Sequence, residues 1–303
     1  MPHASLDIGS NSILLLVVDD HGRVIHDAVR VVGLGRGLGD RGLLKADRVE
    51  LALEVLGGYI DIARGLGVAP SAIRAVATSA LRRALNGETF LARVRELYGV
   101  TVRVISGEQE AALTAKGALT GLRLPPGPSL VVDAGGGSTE LILVKPDPQL
   151  PGQLSFLFRH SFELGHVRLH ERFFASNTAR PQDVARARSF IAETLQSHWP
   201  AQQPRSVVAV AGTPIALATA QLELGQLDGN AVHGMAMQLF TLRRWIDRLL
   251  HVELPQRRAL LPATPDRAET MLGGVLILEQ VLVLTQRTNL LVSNRGVRFA
   301  ILQ

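Results

Sequence analysis

Apolar runs of strand length recur along the chain and alternate with stretches in which apolar residues return every three or four positions. The first kind includes Ile13 to Val18, Val24 to Val32, Ile73 to Ala77, Val100 to Ile105, Val131 to Val132, Leu141 to Val144, Leu154 to Phe162, Val207 to Ala211 and Asn289 to Val292. The second kind predicts helices. Asp47 to Arg64 puts Val49, Ala52, Leu53, Leu56, Ile60 and Ala63 on one face and stops at Gly65 and Gly67. A helix capped by Asn86 carries Phe90, Leu91, Val94 and Leu97, and one opened by Pro181 runs to Ser197 with Val184, Ile191 and Leu195 inward. Thr264-Pro265-Asp266 is expected to cap a long apolar helix from Arg267 to about Leu284, and a last short helix follows Ser293-Asn294-Arg295-Gly296. Such alternation predicts an α/β fold.

One junction between strands has unusual chemistry. From Val131 to Val144 an apolar strand ends on Asp133, three glycines (Gly135, Gly136, Gly137) turn the chain, Ser138 and Thr139 follow, and Glu140 opens a returning strand. Glycine lets backbone come close to a ligand and admits positive φ, so neighbouring amides can converge on one anion. Two carboxylates beside a phosphate make sense when a divalent cation sits between them. The junction occurs twice. Leu6-Asp7-Ile8-Gly9-Ser10-Asn11-Ser12 lies over Val132 to Ser138 without a gap, matching Asp, Gly and Ser, and an apolar strand follows each. A repeat at half-chain separation implies two similar lobes, and two such loops facing each other across a cleft would grip one phosphate chain. Asp7 then becomes a third carboxylate near the metal. Leu122 to Pro128 breaks the pattern, so the lobes are expected at 1–124 and 125–303, with the last helix, about 295–303, a candidate to pack back on the first lobe.

Composition narrows the class. The 303 residues are 47% apolar and 19% charged, which suits a globular chain with two sizeable cores. Cysteine is absent, removing disulfides, thiolate metal sites and cysteine nucleophiles. No apolar run has membrane-spanning length and no basic region precedes the first one, so the expectation is a cytoplasmic protein without a membrane partner. The net charge is +5, carried almost wholly by arginine, with Lys45, Lys116 and Lys145 the only lysines. Arginine's planar fork suits phosphate oxygens, although composition bias accounts for much of the excess.

Lesser candidates are weaker. Gly33 to Gly39 fails the spacing of a dinucleotide loop and reads as a mobile cleft edge around Arg36. Arg83, past a strand end, could reach a cleft or solvent. Glu108, Gln109 and Glu110 open a helix after Ser106, where capping explains one of them and a general base could be another. His166 and His170, four apart, lack the acid of a zinc-protease motif. Gly212-Thr213-Pro214 is a third anion candidate at a helix start.

The order Asp7 to Ser12, Ala77 to Arg82, Ile105 to Ala111, Asp133 to Glu140, Leu164 to Arg168, Val232 to Gly234 and Ser293 to Gly296 resembles the exopolyphosphatase and guanosine pentaphosphate phosphohydrolase (Ppx/GppA) family in its short two-domain form. The resemblance implies two ribonuclease H-like lobes of the actin, hexokinase and Hsp70 superfamily with an interlobe cleft, agreeing with the repeat. It implies Glu110 as the catalytic carboxylate that activates water, with Glu108 its rival. Ser10, Asn11, Ser12, Arg82, Gly135, Gly136, Gly137, Ser138 and Thr139 become phosphate-binding residues, and Asp133, Glu140 and Asp7 hold Mg²⁺ or another divalent cation. The implied substrate is inorganic polyphosphate or guanosine pentaphosphate, with no nucleic acid expected and a homodimer as one candidate assembly. The rim departs from the family pattern, which often has arginine at Gly33, an acid at Arg36, arginine at Ala112, alanine at His166, glycine at Ala211 and an acid at Asn294. A kinase on the same fold, or a polyphosphate binder with little turnover, therefore stays open at this point.

Overall fold

The computed structural model describes residues 1–38, 42–150, 152–174 and 179–303. Gly39, the last glycine of the Arg36 segment, lies outside them. The chain forms two compact units, Met1–Gly117 with Val297–Gln303, and Ala118–Gly296.

In the first unit β1 (His3–Ile8), β2 (Ser12–Val18) and β3 (Val24–Val31) form an antiparallel meander, and β4 (Arg74–Ala77) and β5 (Val102–Val104) add in parallel beside β1. The sheet order is β3-β2-β1-β4-β5. Alternation puts Leu6, Ile8, Ile13 and Leu15 against the helices Ala46–Gly65 and Gly87–Tyr98, in one core with Leu53, Leu56, Ile60, Phe90 and Val94. Leu16 and Val18 point the other way and meet Phe299, while Val76 and Ile105 meet Val297. The short helix Val297–Ala300 is held there by polar contacts as well. Arg298 makes a two-pronged ion pair with Asp27 (2.9 and 3.0 Å), and its carbonyl accepts from Ser5 Oγ at 2.7 Å.

In the second unit β6 (Ser129–Ala134), β7 (Thr139–Pro146) and β8 (Leu154–Phe162) repeat the antiparallel meander, β9 (Ser206–Val210) runs parallel to β6, and β10 (Ala236–Gln238) pairs with β11 (Asn289–Val292). Its order, β10-β11-β9-β6-β7-β8, read from the far end, is the first sheet's order with one strand added. The helix Met271–Thr285 is apolar nearly all round because it is buried nearly all round, with Leu272, Val275, Leu276, Leu278 and Leu282 in the core. Its one buried acid, Glu279, accepts a two-pronged pair from Arg188 (2.8 and 3.0 Å) and a contact from Arg243 at 3.2 Å, tying three helices together.

Local details differ from the sequence reading. Asn86 sits at its helix start but caps nothing; Oδ1 accepts from Leu44 N at 2.9 Å and Nδ2 donates to Leu44 O at 3.1 Å, because a distant backbone offers a matched pair. The long apolar helix starts at Met271, after a separate 3₁₀ turn Pro265–Arg267, so Arg267 is free to lie elsewhere. The division between units falls after Gly117, with 118–124 in the second unit, where the Thr120 carbonyl accepts from Arg295 Nη1 at 3.1 Å and bonds His233 Nε2 at 3.0 Å.

Candidate active site

The two glycine junctions fold alike. In the first, Gly9 N donates to Ser12 O at 2.9 Å, and in the second Gly135 N donates to Ser138 O at 2.9 Å. Positive φ is not the reason for these glycines, since none of Gly9, Gly135, Gly136 or Gly137 adopts it. Close approach is. A Cβ at Gly9 would stand 3.0 Å from Ser12 O, and one at Gly136 would stand 3.3 Å from the Val167 side chain.

Each loop is braced from behind by another segment. The carbonyl of Ser10 accepts from Gly35 N at 2.8 Å, and that of Asn11 from Val32 N and Gly33 N, both at 2.8 Å. In the second unit the carbonyls of Gly135 and Gly136 accept from His166 N and Val167 N, both at 3.0 Å. Gly165 allows this, because any side chain there would overlap the Gly136 carbonyl. With the carbonyls tied back, the amides of Ser10, Asn11, Gly136 and Gly137 donate to no protein acceptor among the described residues. Free amides on a tight turn form an anion-binding concavity. The side chains of Ser10, Asn11, Ser12 and Ser138 are likewise uncommitted there. Thr139 departs from expectation: it is fully buried and its hydroxyl donates to the Leu164 carbonyl, so it braces the loop instead of meeting a ligand.

Asp133 and Glu140 are direct partners across the β6–β7 ladder, and Ser161 Oγ donates to Glu140 Oε1 at 2.6 Å. Like charges directly opposite are destabilising unless something positive lies between them. In the first unit, burial pushes the Asp7 carboxyl up from 3.8 to about 7, the Arg298 guanidinium pulls it down, and Glu110 pushes it up. Asp7 Oδ1 is shut off from solvent without a hydrogen bond. Within the second unit, the opposed carboxylates of Asp133 and Glu140 are oxygen donors of the kind a hard divalent cation prefers. Among the described residues no group of three or more His, Asp or Glu side chains could hold a metal ion, so phosphate oxygens and water would complete the shell, as is usual for Mg²⁺.

Glu110 is set in the first turn of the helix Gly107–Leu119. Ser106 and Gln109 form a reciprocal capping box, each bonding the other's backbone N–H at 3.1 Å, so capping accounts for Gln109 and leaves both glutamates to other tasks. Glu110 is the half-buried one. Arg82 Nη1 bridges Ile105 O (2.7 Å) and Glu110 Oε2 (3.2 Å), fixing the carboxylate, whereas Glu108 is exposed.

Arg267 was not evident from sequence as part of a site, and His166 only as half of a histidine pair and a departure from the family pattern. His166 is 9% exposed, its ring lies against Gly136, and burial first, then the Arg267 charge, pulls its pKa from 6.5 to about 4. Arg267 presses its guanidinium on Gly212, where a Cβ would clash with it, at the start of the helix Gly212–Gln221. Burial lowers its pKa, and among the described residues no acceptor or carboxylate holds it. An unpaired half-buried cation beside free helix N–H groups is an anion-binding arrangement. Glycine at 212 is the only signal in the sequence. Among the described residues no third His, Asp or Glu joins His166 and His170 in a metal-binding group.

Two α/β units that share one strand order, each with a glycine turn whose amides are unspent, define the fold class. The sequence model of the Ppx/GppA phosphatase family matches residues 15–302, and the chain belongs to that family. It is 30% identical over 293 residues to exopolyphosphatase 2 of Mycobacterium tuberculosis, covering 92% of this chain and 89% of that one. The type II crystal structure of the Aquifex aeolicus Ppx/GppA phosphatase superposes with a TM-score of 0.82 at 30% identity, covering 100% of this chain and 98% of the other. An exopolyphosphatase structure from Cytophaga hutchinsonii, 24% identical, shares the fold with a TM-score of 0.83, covering 100% of this chain and 96% of the other. The chain is thus a hydrolase of this family. Among the described residues no helix is long and apolar enough to cross a membrane.

Proposed function

We propose that this hydrolase cleaves phosphoanhydride bonds, releasing the terminal phosphate of inorganic polyphosphate. The observation that carries the reading is the double loop, with its carbonyls tied back and its amides of Ser10, Asn11, Gly136 and Gly137 unspent. Guanosine pentaphosphate presents similar phosphates and is the competing substrate.

In this reading Glu110 takes a proton from water, the water oxygen bonds to the terminal phosphorus, and the anhydride P–O bond breaks toward a chain one phosphate shorter. Arg82 holds the base in place. The loop amides, Ser12, Ser138 and Arg267 receive the phosphate oxygens, in keeping with a loose phosphoryl transfer that needs positioning and charge neutralisation more than covalent chemistry. Asp133 and Glu140 would hold a divalent cation, which would supply neutralisation of phosphate charge. The test is phosphate release from polyphosphate, guanosine pentaphosphate and ATP side by side, with and without Mg²⁺. Release from polyphosphate that requires the metal supports the proposal; transfer from ATP to an acceptor other than water, or release from none of the three, removes it.

A further inference from the structure

The segment that braces the first loop also carries two cations, each laid over a glycine. Gly33 and Gly37 adopt positive φ (+66° and +75°), where other residues are strained. A Cβ at Gly33 would come within 2.7 Å of Arg36 Nε, and one at Gly37 within 2.8 Å of Lys45 Nζ, so each long side chain runs across a bare Cα. Both residues are exposed, and among the described residues neither side chain takes part in a hydrogen bond or ion pair. Arg23, Arg48, Arg64 and Arg93 of this unit are ion-paired, with Asp19, Asp47, Asp61 and Glu50.

The placement is tied to the candidate phosphate loop. Gly35, between the two glycines, bonds the Ser10 carbonyl at 2.8 Å, and a Cβ on it would come within 3.2 Å of the Ser10 side chain. Stems packed on a fixed turn lose less freedom on binding than stems waving in water.

We infer that Arg36 and Lys45 form an accessory anion subsite beside the first loop that takes internal phosphates of a linear phosphate chain, so that long chains bind more tightly than short ones. This rests on the proposed function for what occupies the loop. A linear polyphosphate carries charge on each internal phosphate and can cover the loop and the cations together, whereas a short chain offers few phosphates beyond those the loop takes.

The experiment compares the full chain with an Arg36→Ala, Lys45→Ala double variant and an Arg36→Lys variant, measuring equilibrium binding of tripolyphosphate and of long polyphosphate over a salt series, alongside phosphate release. The double variant should bind long chains roughly tenfold more weakly, as expected for lost charged contacts that remain partly solvated. Its log–log salt slope for long chains should fall by about 1.5, since each lost phosphate contact removes about 0.7 to 0.9. Tripolyphosphate binding and melting temperature should stay close to the parent's, and Arg36→Lys should keep most of the long-chain affinity. Unchanged long-chain affinity and slope in the double variant would overturn the subsite, and so would an equal loss for both chain lengths, which would assign the cations to the first loop itself. If the parent binds long chains but releases no phosphate, the hydrolytic reading fails while the binding comparison still decides the subsite.

Discussion

At the scale of single residues, the proposed base Glu110 and its partner Arg82 should separate in kinetics. Glu110→Gln should bind polyphosphate as before and lose about 10² to 10⁴ in turnover, the usual span for a general base. Near-normal turnover would exclude Glu110, and the same change at exposed Glu108 should be milder. Arg82→Ala should lower kcat as well as raise KM, because Arg82 touches both the Ile105 carbonyl and Glu110, whereas a pure phosphate contact would act mainly through KM. His166 offers a pH signature. Its folded pKa is below its unfolded value, so the native state keeps it neutral; its stabilisation is whole above 6.5 and is lost as pH falls from 6.5 toward about 4. That shift corresponds to about 3 kcal/mol at most. Chemical denaturation across this range should show a shallower acid limb in His166→Gln, and an unchanged limb would mean that other groups carry the acid sensitivity.

At the scale of elements, the bracing segments matter more than the turns they hold. Gly165→Ala would drive a methyl into the Gly136 carbonyl group, and rigid backbone on both sides leaves it nowhere to go. The expected outcome is a stability loss of about 1 to 3 kcal/mol, together with weaker phosphate binding in the fraction that folds. Retained affinity after such a shift would show that the loop holds its shape without the brace. The Glu279 cluster is a different kind of fastening. Glu279 is buried while Arg188 and Arg243 reach solvent, so Glu279→Ala strands two cations that water can partly recover, at a cost of about 1 to 3 kcal/mol. Arg188→Ala should then add little on top of Glu279→Ala; additive losses would show that the pair is not coupled.

At the scale of the molecule, the chain leaves the first unit at Gly117 and returns to it at Val297. The returning segment covers Leu16, Val18, Val76 and Ile105 and pairs Asp27. Removing 297–303 should therefore expose the back of the first sheet and free its strands to exchange amide hydrogens, while β6 to β11 keep their protection. Uniform loss of protection throughout would show that the two units unfold as one.

Much of this was legible in the chain itself. Period-two and period-3.6 patterning specifies strands and helices because burial is decided locally by which face a side chain lies on, and the repeat of Asp, Gly and Ser at half-chain separation announced two units whose sheets share one strand order. The acids and the loop serines stood out as candidates because phosphate chemistry uses those residue types beside glycine, and Glu110 was singled out by the family resemblance. Other matters depended on what folding brings together over long separations. The sequence shows that residues 135–137 are glycines, but not that the carbonyls of Gly135 and Gly136 are held by His166 and Val167, nor that Thr139 gives its hydroxyl to Leu164. Arg267 reads as one more arginine until a separate turn lays it on Gly212, more than fifty residues away. Local propensity sets which elements form; the partners of buried polar groups are set by the whole packing, because a buried donor or acceptor must be satisfied by whatever the tertiary fold brings within reach.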